Sequence, residues 1–164
     1  MQSTNFGLHL ISEDLVKRLI IILSVIFGIF VNSGYAQQTS FGVGAGYVQI
    51  FNPSAIGLNI HLDATSQITD SFGFQVAGDV IVGSRGTAIL FSVKPLFFAE
   101  LFSGSQFYVG PTTGVLLSSA GTAISLGLTI GSMSYIGDRI LFFSQGEILL
   151  GGVLFLNVGV RLEL

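Results

Sequence analysis

The sequence contains no cysteine and no tryptophan, and only 9% of its residues are charged. Without cysteine there is neither a disulfide framework nor a thiolate metal site, and no cofactor or metal is expected. Soluble domains carry about 25% charged residues, so a chain this poor in charge is an unusual candidate for one. The net charge of −3 argues against a nucleic-acid partner, and the basic residues after the first 36 (Arg85, Lys94, Arg139 and Arg161) are scattered rather than clustered. Also missing is any run of about 20 apolar residues that could form a membrane-spanning helix. Yet apolar residues make up 50% of the chain and glycine occurs 22 times. Hydrophobicity spread over short, glycine-rich segments points to strands.

Residues 56 to 64 show how it is spread. In Ile-Gly-Leu-Asn-Ile-His-Leu-Asp-Ala every even position is apolar, and Gly57, Asn59, His61 and Asp63 occupy the odd ones. Side chains on a strand alternate between its two faces, so this segment has one apolar and one polar face. Similar alternation continues to the C-terminus.

The N-terminus supplies a compartment. Lys17 and Arg18 precede an apolar run from Leu19 to Val31, and Asn32-Ser33-Gly34-Tyr35-Ala36 follows with small residues where a signal peptidase reads. Residues 1–36 are therefore expected to be an N-terminal extension plus a secretory signal peptide cleaved after Ala36. The run is too short to cross about 30 Å of hydrocarbon. Glu13 and Asp14 do not suit a positive leader, so translation is expected to start downstream of Met1.

Turn signals divide residues 37–164 into eight strands of one domain. They are Asn52-Pro53-Ser54, Ser66 to Asp70, Arg85-Gly86, Ser103-Gly104-Ser105, Ala120-Gly121, Gly137-Asp138 and Gly151-Gly152. Paired residues of an antiparallel ladder face the same way, so apolar parity constrains each loop's length. Even loops fit at Asn52 to Ala55, Arg85-Gly86 and Ala120-Gly121; odd ones fit at Gly137-Asp138-Arg139 and at Gly151-Gly152-Val153. The fold expected is all-β, an eight-stranded antiparallel up-and-down barrel.

Which face lies inside follows from counting polar groups. A soluble barrel wets its polar face, whereas a membrane barrel turns that face inward. Here the polar face carries few charges among Gly, Ala, Ser and Thr, too few to solvate an exterior, so lipid is expected outside. With both termini periplasmic, outward Phe72, Phe74, Phe97, Phe107 and Phe142 fall toward the periplasmic strand ends as an interfacial aromatic band.

With this alternation, the leader and phrases such as Ile68-Thr69-Asp70-Ser71-Phe72-Gly73-Phe74 at a periplasmic turn, the chain resembles the small eight-stranded outer-membrane β-barrels of the porin family. The resemblance spans residues 41–164 and contains no catalytic motif. It implies a bacterial outer-membrane location, lipid as the surroundings, the barrel-assembly machinery as the partner during insertion, and a monomer. Two departures are the final Leu164, where many such barrels end in an aromatic, and very short extracellular loops.

The lumen is expected to hold a polar network of His61, Asp63, Asp79, Lys94, Glu100, Glu147, Asn157 and Arg161, with opposite charges paired because an unpaired charge there is costly. An eight-stranded interior is largely filled by side chains, which favours an ion-pair plug over an ion or proton path. The inward glycines nonetheless leave room for a narrow water-filled cavity. His61 is the single histidine after residue 36, and no serine can be set beside it by sequence, so no enzymatic activity is expected. Pro95 and Pro111 fall opposite or within one step of each other and imply a bulge, a bend or a weak seam for lipid access. The role expected is structural or membrane-stabilising, with a narrow pore second and lipid modification third.

Overall fold

The computed structural model describes residues 38–51, 54–84 and 86–164. The leader expected over residues 1–36 lies outside them. The strands are β1 (Gln38–Phe51), β2 (Ser54–Thr69), β3 (Phe72–Gly83), β4 (Gly86–Phe102), β5 (Ser105–Ser118), β6 (Gly121–Tyr135), β7 (Ile140–Leu149) and β8 (Val153–Glu163). Each pairs antiparallel with its sequence neighbours, and β1 pairs with β8 to close the barrel. Closure leaves no strand edge exposed. The start of β1 and the C-terminus, the two ends of the described chain, lie at one end of the barrel, where the Leu164 amide donates to the Thr39 carbonyl.

The β1–β2 turn is two residues shorter than its sequence suggested, and the β3–β4, β5–β6 and β7–β8 turns keep their length but start one residue earlier. Phe51 pairs with Ser54, Gly83 with Gly86, and Ser118 with Gly121, so Ser54, Ala55, Gly86 and Gly121 belong to strands rather than loops. Leu149 pairs with Val153, making Leu150 the third residue of the β7–β8 turn in place of Val153. Gly151 and Gly152 in that turn have φ of 99° and 81°, a region closed to most side chains.

Two connections keep parity across two-residue turns, Asp70-Ser71 and Ser103-Gly104, which a regular ladder forbids. The extra residue sits inside the strands: the register shifts between Gln67 and Thr69 and again between Glu100 and Phe102. The second of these bulges replaces the three-residue loop expected around Gly104. Pro95 and Pro111 mark no bulge. Pairing of β4 with β5 stops after Val93–Thr113 and resumes at Phe97–Val109 in unchanged register, so the prolines stand opposite each other in a gap.

Parity holds around the barrel. Outward Leu58, Ile124 and Ile148 are 69, 80 and 61% exposed, whereas inward Lys94, His61 and Glu147 are 0, 0 and 1% exposed. A wall that displays leucine and hides lysine is built for lipid. The five phenylalanines all lie on the outer surface toward the end bearing the termini, and Phe72 packs against Phe74 and Phe97 at ring-centroid distances of 5.0 and 5.4 Å.

Candidate functional site: the layered lumen

Along β4 the inward residues read Leu90, then Ser92 and Lys94, then Leu96 and Phe98; along β7 they read Leu141 and Phe143, then Gln145 and Glu147, then Leu149. In the antiparallel arrangement the two series align as apolar, polar, apolar. One apolar layer comprises Val48, Ile81, Leu90, Leu149 and Phe155. The other, nearer the termini, comprises Leu96, Phe98, Tyr108, Met133, Leu141 and Phe143.

Between and beside them lies the charge. The Lys94 Nζ is 2.5 Å from Glu147 Oε2. His61 bridges two carboxylates, with Nδ1 2.8 Å from Asp79 Oδ1 and Nε2 3.2 Å from Asp63 Oδ2. Arg161 grips Asp63 through two donors, Nε to Oδ1 at 3.0 Å and Nη2 to Oδ2 at 3.2 Å. Thr65 donates to Asp63 at 3.1 Å and Asn59 to Asp79 at 2.7 Å. The Arg161 guanidinium lies 4.4 Å from the Phe143 ring centroid and 5.5 Å from that of Tyr108, a cation held over aromatic faces. Of the two His61 contacts the one from Nδ1 to Asp79 has hydrogen-bond geometry, while Nε2 is buried against Asp63 at ion-pair distance.

Of the eight expected lumen residues, His61, Asp63, Asp79 and Arg161 therefore form one cluster, and Lys94 with Glu147 a pair. Asn157 is buried beside Asn59 above Gly46, with neither amide atom hydrogen-bonded. Glu100 stands apart. It is exposed at the mouth nearer the termini, in a polar vestibule of about 650 Å³ with Gln106, Tyr135 and Glu163. There Tyr135 donates to Glu163 at 2.6 Å.

The glycines account for how so much fits. A Cβ on Gly44 would come within 2.9 Å of Phe143 Cζ, and one on Gly159 within 2.7 Å of Phe143 Cε1. Gly42 similarly lies beneath Asp63 and Arg161, and Gly131 beneath Tyr108. At these four glycines the gap is filled by a large side chain of a nearby strand. Asn59, expected on the inward polar face, completes the Asp79 shell; Thr65, which does the same for Asp63, and the apolar layers themselves were not singled out from sequence, where their inward parity was the available signal.

A closed eight-stranded barrel with an apolar exterior and a charged, filled interior is a known architecture. The fold is that of an outer-membrane β-barrel. Neisserial surface protein A is 15% identical with a TM-score of 0.61, over 76% of this chain and 96% of that one. OprG of Pseudomonas aeruginosa is 10% identical with a TM-score of 0.56, over 80% and 98%. A de novo designed transmembrane β-barrel reaches a TM-score of 0.62 at 8% identity, over 79% and 97%. No protein-family model and no curated protein matches the sequence.

Proposed function

We propose that this chain is an integral protein of the bacterial outer membrane with a structural, membrane-stabilising role and a lumen closed by its ion-pair network. The supporting observation is the layering: Lys94–Glu147 and the His61 cluster are enclosed by side chains, with apolar layers toward both mouths. Transferring an ion through would require breaking charge-assisted pairs and wetting apolar layers, both costly. A non-enzymatic role is favoured by His61, whose two ring nitrogens both face carboxylates and so have none free to activate a hydroxyl.

In this reading the termini face the periplasm, the tight β1–β2, β3–β4, β5–β6 and β7–β8 turns face outward, and the phenylalanine band rests at the periplasmic interface. The protein is a monomer surrounded by lipid, since a closed barrel offers no edge to a second copy, and it needs the barrel-assembly machinery only for insertion. Planar-bilayer recording of the purified protein tests the reading. No discrete openings are expected, and steady unitary conductance would overturn the plug in favour of a narrow pore.

A further inference from the structure

At the end opposite the termini, the lumen above the apolar layer opens into a cavity of about 240 Å³. Val48 and Ile81 form its floor, Ala88 and Leu116 its sides. Ser84, Thr87, Ser118 and Ser119 place hydroxyls around it, and none of its described lining residues is charged. The cavity exists because of a contrast among the inward glycines. Gly42, Gly46, Gly131 and Gly159 lie beneath side chains of neighbouring strands, whereas Gly57 and Gly83, paired with each other on β2 and β3, have backbone of the adjacent strand as their nearest atoms and put no side chain into the space. Ala55 and Ala88 are also too short to fill the space.

We infer that this cup is a binding site for a small uncharged molecule with an apolar body and one hydroxyl or carbonyl group. An apolar cavity of about 150 Å³ already takes benzene or xenon, so this one admits a ring with a short substituent. The described lining residues offer no charge to a charged ligand, which would lose its hydration without gaining a partner among them. Hydroxyls at the rim can orient one polar atom while Val48, Ile81 and Leu116 contact the remainder. The floor of the cup is the sealed layer that includes Leu90 and Phe155, so the ligand is held rather than passed through. In the orientation proposed above, the cup opens to the cell exterior.

Methyl NMR of the full barrel in detergent, titrated with benzyl alcohol, tests this. Saturable shifts confined to Ile81, Ala88, Leu116 and Val48 are expected, with no such shifts from benzoate. Ala88→Phe, and separately Leu116→Trp, should weaken the apparent affinity at least about tenfold while the barrel keeps its heat-modifiable gel migration. Two variants guard against one failing to fold. Three results would overturn the site: non-saturating shifts spread over outward Leu58, Ile124 and Ile148, unchanged affinity in both variants, or a detergent chain in the cup that benzyl alcohol does not displace. None of these bears on conductance, so the site and the plug can fail independently.

Discussion

Pro95 and Pro111 stand opposite each other across β4 and β5, and neither has an N–H to give the other's carbonyl. The ladder is intact on either side, so the wall carries a local gap in otherwise unbroken register. The Pro95 carbonyl oxygen instead crowds the lumen side of Gly110, where a Cβ would collide with it. Pro111→Val restores one donor facing that carbonyl. Amide exchange in detergent should then show a slowly exchanging amide at position 111 and stability higher by about 1 kcal/mol, one net hydrogen bond. Rapid exchange at 111 would mean that the carbonyl has moved out of ladder geometry. Gly110→Ala should destabilise, because its contact is with backbone that cannot swing aside.

The Lys94–Glu147 pair is buried on both sides, with exposures of 0 and 1%. Removing one partner leaves an uncompensated charge, so Lys94→Met or Glu147→Gln alone should cost about 3–5 kcal/mol in urea unfolding. Replacing both, as Lys94→Met with Glu147→Leu, should recover most of that loss. If the double variant is as unstable as the sum of the singles, the pair is not the unit that matters.

The alternation of Ile56 to Ala64 was readable because a strand's period of two requires no partner. The same rule put Lys94, Glu147 and Arg161 inside. What it could not give was depth and cross-barrel contact. Glu100 shares the inward parity of Lys94, yet β4 carries it out of the packed region to the mouth. That Phe143 of β7 reaches past its ladder partner Gly159 to cover Gly44 of β1 depends on strand tilt and stagger, which no single strand encodes. The bulges escaped for a related reason: retained parity demands an extra residue but does not say whether turn or strand holds it.

Packing between neighbouring strands makes some glycines irreplaceable and others not. A Cβ at Gly44 would lie 2.7 Å from the Val158 carbonyl oxygen and 2.9 Å from Phe143, whereas one at outward Gly78 meets Phe91 at an ordinary 3.7 Å. Gly44→Ala should therefore destabilise by about 1–3 kcal/mol through overpacking. Gly78→Ala should be neutral or stabilise by about 0.5–1 kcal/mol, since glycine is intrinsically unfavourable within a strand. Unfolding midpoints of the two variants, measured in the same detergent, should move apart; equal effects would mean that the lumen relaxes around the added methyl.

The outer wall makes a depth-dependent prediction. Ile60 lies mid-way along β2 and is 58% exposed, while Phe102 ends β4 at the terminus-bearing rim and is 75% exposed. In water both would tolerate arginine. In a bilayer, arginine on the outer face costs about 2–4 kcal/mol at the midplane and about 0–1 kcal/mol near an interface. Ile60→Arg should thus weaken folding into phospholipid vesicles far more than Phe102→Arg, although Phe102 is the more exposed. A soluble barrel predicts no such difference, and equal folding of the two variants would remove lipid from the outer face.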